Sequence, residues 1–151
     1  MPNTYTQLYI HYVFAVQSRE NVIAAKWEET FYKYITGIIT NKGQKLMVIN
    51  GMPNHVHILV GMAPTIAVAD LARDIKSNAA KYVNENKMVA GKFSWQEGYG
   101  AFSVSPSQVS KVATYIENQK EHHKVMTFKD EYLELLKRSE IDYKEEYLFE
   151  F

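Results

Sequence analysis

The amino-acid sequence predicts an α+β fold in which four strands and two crossover helices follow the order β-α-β-β-α-β. Three observations support this prediction. Aromatic and β-branched residues dominate residues 8–16, two strand-like runs flank the turn pair Pro53-Asn54, and apolar residues recur at helical spacing in residues 26–42. This order is typical of the ferredoxin-like, or RRM-like, sandwich, which has helices on one face of the sheet and leaves the other face free for a ligand.

The first part of the chain contains a strand, a helix and a pair of strands. Residues 8–16 form the first predicted strand, in which alternate apolar side chains share one face. Residues 26–42 form the first predicted helix, because their apolar residues repeat every three to four positions. Residues 45–52 and 55–62 then predict two strands, since Pro53-Asn54 between them is a favoured turn pair.

A second helix and a fourth strand are predicted next. Thr65 is expected to cap this helix, which runs to about Asn84 and carries an apolar stripe. Residues 93–104 are expected to form a strand region that Gly98 and Gly100 interrupt, either as a bulge or as a flexible joint.

Two further helices follow the predicted sandwich. Ser105-Pro106 favours the start of a third helix, which is expected to run to about His122. Thr127 and Asp130 have the spacing of a capping box and predict a short last helix in the tail.

The composition predicts one domain over residues 1–151, since 151 residues is an ordinary domain length. We divide it into a core (1–104), a tyrosine-bearing helix (105–123) and an acidic tail (124–151). The chain has no cysteine, which excludes disulfides, thiolate metal sites and cysteine nucleophiles. Any metal ligand must therefore be a histidine, a carboxylate or an amide.

The charge and hydropathy patterns restrict the partners. Lys plus Arg and Asp plus Glu both number 17, and this neutral total argues against a general polyanion binder. Residues 1–126 hold 13 basic and 9 acidic side chains, whereas residues 127–151 hold 4 and 8, so a nucleic-acid partner for the body is permitted. Neither a membrane-spanning run nor a signal-peptide pattern is found, so we expect a cytoplasmic protein and no membrane partner.

The strongest local motif is the histidine pair His55-Val56-His57. On a strand the two imidazoles project from the same face, about 7 Å apart, and can converge on one metal ion. Zinc suits imidazole ligands, whereas magnesium or manganese would need added oxygen ligands. The alternative is a pair of half-exposed histidines that are hydrogen-bonded without any metal.

The predicted third helix carries a second polar stripe. Tyr115, Gln119 and His122 stand at i, i+4 and i+7, next to the apolar face of the helix. A phenol is a weak nucleophile at neutral pH, but tyrosine forms covalent intermediates when a base or a metal activates it. The amide oxygen of Gln119 suits a divalent ion, so one helix could supply both a nucleophile and the missing ligand. The alternative is an amphipathic surface tyrosine with its hydroxyl in water.

These residues resemble a known family, the single-tyrosine HUH-type transposases of small bacterial insertion sequences and their domesticated relatives. In this name HUH denotes two histidines separated by a bulky hydrophobic residue, here His55-Val56-His57 within residues 52–60. The resemblance covers nearly the whole chain, and the other matching stretches are His11-Tyr12-Val13-Phe14 through Arg19, residues 95–105, Tyr115 to Gln119, and His122-His123.

The resemblance implies a mechanism and a set of partners. Tyr115 would attack a phosphate of single-stranded DNA, forming a 5′-phosphotyrosine link and freeing a 3′-hydroxyl. Mg²⁺ or Mn²⁺ would be held by His55, His57 and Gln119, with no nucleotide cofactor. The family binds DNA hairpins at element ends and typically acts as a homodimer in which the tyrosine helix works in trans. Gly98 and Gly100 could then serve as the hinge of that helix.

Other residues are candidates for direct DNA contacts. Arg73 and Lys76 lie one turn apart on the second predicted helix and could bind phosphates, although a solvated surface accounts for them equally well. His11 could border the site, and His122 could bind phosphate or interact with the negative end of its helix. Two alternatives to a DNA transposase stay open, namely a binding module without catalysis and a metal-dependent hydrolase.

Overall fold

The computed structural model describes residues 3–17 and 22–151, which form one four-stranded antiparallel sheet with helices on both faces. The strands are β1 (Leu8–Ala15), β2 (Lys45–Met52), β3 (His55–Met62) and β4 (Gly100–Val104). The helices are α1 (Ala25–Asn41), α2 (Val68–Glu85), α3 (Val109–Glu117), α4 (Gln119–His122) and α5 (Phe128–Arg138), with 3₁₀ turns at Pro106–Gln108 and Glu145–Tyr147. No helix in these ranges combines the length and apolar character needed to cross a membrane.

The strand order in the sheet is β2-β3-β1-β4. The β3 strand pairs with β1 and β2, with Val13 opposite His57 on one side and Asn50 opposite His57 on the other. Strand β4 pairs with the free edge of β1. The predicted α+β sandwich is therefore confirmed, and β3 lies inside the sheet rather than at its edge.

The two faces of the sheet are covered by different parts of the chain. Helices α1 and α2 pack on one face, where Tyr12, Phe14 and Ile58 are fully buried in the main core. The opposite face was expected to be free, but a second apolar cluster covers part of it. Its buried members are Val13, Ala15, Phe102, Phe128, Tyr132, Leu136 and Phe149. The tail is thus part of the fold, because its apolar stripe completes this second cluster.

Several element boundaries differ from the sequence predictions. Helix α2 begins at Val68 after Ala67, so the cap expected at Thr65 is wrong, because Thr65 lies in the preceding turn. The strand expected over residues 93–104 is reduced to β4, preceded by a single bridge between Val16 and Trp95. The cap at Thr127 is confirmed, since its hydroxyl accepts a hydrogen bond from the Asp130 amide at 3.2 Å.

The helix expected from Ser105 to His122 is divided into a 3₁₀ turn, α3 and α4. The division falls at Asn118, where ψ is 19° and the backbone leaves the helical conformation. Asparagine competes poorly as an interior helix residue, because its side chain hydrogen-bonds readily to nearby backbone. As a result Tyr115 and Gln119 lie on two successive short helices rather than on one continuous helix.

Candidate metal and tyrosine site

The histidine pair lies on β3 with both side chains on the face opposite α1 and α2. Val56, Ile58 and Val60 point into the main core, as the alternation along a strand requires. The rings of His55 and His57 are 5.1 Å apart between centroids, and both residues are fully buried. The predicted sharing of one face is confirmed, and both histidines are buried rather than half-exposed.

Each histidine has a neighbour at its Nδ1 atom. His55 Nδ1 lies 2.8 Å from the acceptor Asn54 Oδ1, so Nδ1 carries the proton and Nε2 keeps its lone pair. His57 Nδ1 lies 2.7 Å from Nε2 of His11, which is itself buried. Burial lowers the pKa of His55 to about 4 and that of His11 to about 3, so both rings are neutral at pH 7.

The tyrosine and glutamine come from α3 and α4, which pack beside β2. Asn50 donates to the Glu117 carbonyl at 3.0 Å, and Lys120 donates to the Gly51 carbonyl at 2.5 Å. Docked in this way, α4 buries Gln119 completely and places its Oε1 3.1 Å from His55 Nε2. The Tyr115 ring lies edge-on to the His57 ring, with centroids 5.9 Å apart.

One acidic residue joins the site without having been predicted. Glu131 of α5 is 1% exposed, and its Oε1 lies 3.0 Å from Nε2 of His57 and 3.2 Å from Nε2 of His55. Its Oε2 accepts hydrogen bonds from the Gln119 amide, at 2.8 Å, and from the Tyr115 hydroxyl. Sequence reasoning missed Glu131, although a carboxylate within the apolar stripe of a helix was an available signal.

The donor set fits a divalent cation. His55, His57 and Glu131 each place one ligand atom so that all three atoms lie within 4.8 Å of one another. The Nε2 atom of His55 lies 3.1 Å from Gln119 Oε1 and 3.2 Å from Glu131 Oε1, and such acceptors repel one another unless a cation or proton lies between them. The buried site can therefore bind a metal through imidazole and oxygen ligands.

The electrostatics of the site hold the phenol protonated in the absence of a cation. Burial and the negative charge of Glu131 raise the pKa of Tyr115 above its usual value. Burial also raises the pKa of Glu131, but contacts with His123, His55 and His57 outweigh this effect and keep that pKa below its usual value. A divalent cation beside the carboxylate would offset the charge that opposes ionisation of Tyr115.

The basic residues singled out on α2 do not join this site. Arg73 lies 3.3 Å from Asp70 and 3.5 Å from Asp74 on its own helix. Lys76 donates to the carbonyls of Gln96 and Gly98, at 2.9 and 2.7 Å, and so anchors the loop before β4. Both lie on the helix that covers the opposite face of the sheet, so their DNA contact remains a prediction for a surface away from Tyr115.

The two other predicted DNA-contact residues lie close to Tyr115. The His122 ring packs on the Tyr115 ring, with centroids 4.8 Å apart, and both line a cavity of about 400 Å³ between α3 and α5. His11 also reaches this cavity, but it is 3% exposed and lies against His57. The structure therefore places His11 as a neighbour of His57 rather than on the protein surface.

The proposed hinge glycines have different surroundings. Gly98 has a φ of +76°, a conformation that glycine adopts easily, in the loop before β4. Gly100 is paired with Val13 inside the sheet, and a Cβ there would lie 2.9 Å from the Tyr132 ring. Gly100 thus permits close packing of α5, and Gly98 alone stays a candidate for a hinge.

A ferredoxin-like sheet that holds a buried histidine pair beside a tyrosine-bearing helix is the arrangement expected of the transposase family that the sequence resembles. Residues 4–119 match the family model described as "Transposase IS200 like", and the chain belongs to this family. The predicted family is therefore confirmed. Arg19, at the end of one matching stretch, lies outside the described residues.

Individual proteins agree with this assignment. The chain is 25% identical over 118 residues to the ISDra2 transposase TnpA of Deinococcus radiodurans, covering 75% of this chain and 84% of that protein. A crystal structure described as a transposase from Deinococcus radiodurans R1 has a TM-score of 0.59 at 23% identity, over 78% of this chain and 94% of that one. A REP-associated tyrosine transposase bound to a REP hairpin has a TM-score of 0.62 at 11% identity, over 80% and 72%. At these identities the two structures show a shared fold.

Proposed function

We propose that this transposase cleaves and rejoins single-stranded DNA, with Tyr115 as nucleophile and a divalent metal held by His55, His57 and Gln119. One observation carries the proposal. The Tyr115 hydroxyl and the histidine pair contact opposite oxygens of a single carboxylate, that of Glu131, so nucleophile and metal ligands lie within one reaction centre.

Cleavage is an exchange of one phosphate ester for another. The Tyr115 oxygen forms a bond to phosphorus while the bond from phosphorus to the 3′ oxygen breaks. The phenol loses its proton, and the 3′ oxygen leaves as a hydroxyl. The reverse attack by another 3′-hydroxyl rejoins the DNA, so no nucleotide cofactor is consumed. A bound Mg²⁺ or Mn²⁺ would polarise the phosphate and stabilise the leaving oxygen.

We propose that the substrate carries a hairpin next to the cleaved strand. The support is family membership together with the fold shared with a tyrosine transposase that was solved with a REP hairpin bound. The mild positive balance of residues 1–126 is compatible with this partner. We place the reaction in the bacterial cytoplasm, at the nucleoid, because that is where such DNA is found.

We further propose that the protein works as a homodimer in which the tyrosine helix acts in trans. The support is the family, because in the single chain α3 and α4 dock on their own β2 through Asn50 and Lys120. Mixing Tyr115→Phe protein with His55→Ala protein tests the exchange. Trans action predicts that the mixture regains DNA cleavage that neither variant shows alone, and a mixture without activity would contradict it.

The proposed chemistry is tested on a denaturing gel. Wild type and Tyr115→Phe are mixed with Mn²⁺ and single-stranded oligonucleotides drawn from the DNA that flanks the gene. A covalent protein–DNA adduct that is lost in Tyr115→Phe and in EDTA is the expected result. Adduct formation by Tyr115→Phe would remove Tyr115 from its role. Cleavage without any attached protein would indicate a hydrolase, and hairpin binding without cleavage would indicate a binding module.

A further inference from the structure

We infer that Glu131 is a ligand of the metal, so that the tail helix α5 is a structural part of the metal centre. The inference rests on the proposed metal site and adds to it a ligand from beyond residues 4–119, which are the residues that match the family. The two histidines and Gln119 supply three donors, and Glu131 would complete them with an anionic oxygen.

The positions of the donor atoms are the first argument that Glu131 binds the metal. Glu131 Oε1 lies 3.0 Å from His57 Nε2 and 3.2 Å from His55 Nε2, and all three atoms belong to residues that are at most 1% exposed. Since His55 Nδ1–H donates a hydrogen bond to Asn54 Oδ1, the Nε2 atom faces Glu131 with a lone pair. A metal ion between them would convert a contact between two acceptors into two coordination bonds.

The charge of the carboxylate carries the second step. A buried carboxylate is costly unless a cation or several hydrogen bonds compensate it. Within residues 3–17 and 22–151, Glu131 forms ion-pair contacts with histidines and with neither lysine nor arginine. A divalent cation would supply the missing charge at this position.

The packing of α5 carries the third step, because it fixes the carboxylate in place. The Phe128 ring stacks on the His55 ring, with centroids 3.9 Å apart and an interplanar angle of 3°. One turn later Tyr132 packs against Phe102 of β4 in the second apolar cluster. Glu131 lies between these two anchors on the same helix, and His123 contacts its Oε1 at 3.1 Å. The carboxylate is therefore held by apolar contacts that do not depend on the metal.

The test compares two isosteric changes on one helix. Glu131→Gln removes the charge and keeps the shape, while Glu134→Gln is the matched control on the same helix, where Glu134 pairs with Arg138. Mn²⁺ binding is measured by titration calorimetry on the full chain without DNA. We expect Glu131→Gln to weaken Mn²⁺ affinity by roughly tenfold or more, and Glu134→Gln to leave it unchanged.

An unchanged or increased Mn²⁺ affinity in Glu131→Gln would overturn the inference. If Glu131 merely occupies the place of the metal, its neutralisation leaves Mn²⁺ affinity unchanged or increases it. The visible spectrum of the Co²⁺-loaded protein is a second readout, because loss of a carboxylate ligand shifts its absorption bands. An unchanged Co²⁺ spectrum in folded Glu131→Gln would also refute ligation.

The same experiment separates this inference from the proposed function. His55→Ala should abolish Mn²⁺ binding if the metal site is correct. Wild-type protein that binds no Mn²⁺ would overturn the metal site itself. Binding that His55→Ala abolishes and Glu131→Gln leaves intact would overturn only the role of Glu131. Urea unfolding of each variant in EDTA establishes that the compared proteins are folded.

Discussion

His11 provides a test of how the ring of His57, a proposed metal ligand, is oriented. Its Nε2 lies 2.7 Å from His57 Nδ1. Burial and the neighbouring His57 lower the pKa of His11 to about 3, so a neutral ring can accept the proton that His57 Nδ1 donates. That arrangement leaves the His57 Nε2 lone pair facing the centre of the site. His11→Phe removes the acceptor but keeps an aromatic ring next to Phe102, whose centroid lies 5.9 Å away.

The expected cost follows from the loss of this single hydrogen bond. Removing the hydrogen-bond partner of a ligating histidine typically weakens metal affinity by about 10–100-fold, or about 1.4–2.8 kcal/mol. The buried His57 Nδ1 would also be left without a partner, at a cost of about 1–3 kcal/mol in folding stability. Each kcal/mol corresponds to a fall of about 2–4 °C in the melting temperature of a chain this long. His11→Phe should therefore stay folded while binding Mn²⁺ less tightly.

Titration calorimetry with Mn²⁺ on wild type, His11→Phe and His11→Gln measures the effect. His11→Gln can present an amide oxygen to His57, so we expect it to recover part of the lost affinity. A folded His11→Phe protein with wild-type Mn²⁺ affinity would refute the idea that His11 determines which nitrogen of His57 is protonated. Equal losses in both variants would show that ring packing rather than hydrogen bonding is what matters.

Three other predictions concern stability and access. Gly51→Ala should destabilise the fold and displace His55, since the added Cβ would lie 2.2 Å from the His55 carbonyl oxygen. Gly37→Ala, where no atom lies within 4 Å of the added Cβ, should instead raise the free energy of unfolding in urea by about 0.4–1 kcal/mol. In EDTA, the free energy of unfolding should fall as the pH drops from 6.5 to about 4, because His55 is protonated in the unfolded chain but stays neutral in the folded protein. The pKa difference of about 2.5 corresponds to roughly 3 kcal/mol, and a free energy of unfolding that does not change with pH would contradict this. Hydrogen exchange in α5 should slow with Mn²⁺ and accelerate with hairpin DNA, and unchanged exchange would argue against a tail coupled to the site.

The sequence predicted the parts of the site that depend on local geometry. The alternation of side chains on a strand was enough to place His55 and His57 on one face, and the structure has both side chains on the same face of β3. The helical spacing of Tyr115 and Gln119 indicated that both reach one site, although the break at Asn118 was not foreseen. These relations hold over two to four residues, where periodicity decides geometry.

Contacts between residues far apart in the chain could not be predicted from the sequence in the same way. Glu131 is 74 residues from His57 along the chain, and its place in the site depends on how the stripe of α5 packs on the sheet. The acidic tail could be recognised only as a charged segment. Arg73 and Lys76 show the converse problem, because a local cluster of basic residues does not reveal which face of the sheet its helix covers.

The position of Glu131 has a consequence for how DNA reaches the site. In the proposed mechanism, in-line attack requires the scissile phosphate to contact both the Tyr115 oxygen and the proposed metal. The two oxygens of Glu131 already contact the Tyr115 hydroxyl and the histidine Nε2 atoms, so carboxylate and phosphate compete for the same space. Since His55, His57 and Gln119 are fully buried, a phosphate can approach them if α5 moves, if the carboxylate rotates away, or if α3 and α4 leave their own β2 as action in trans would require. A carboxylate that keeps the metal bound in the absence of DNA, and that yields one coordination position to the phosphate, satisfies both requirements.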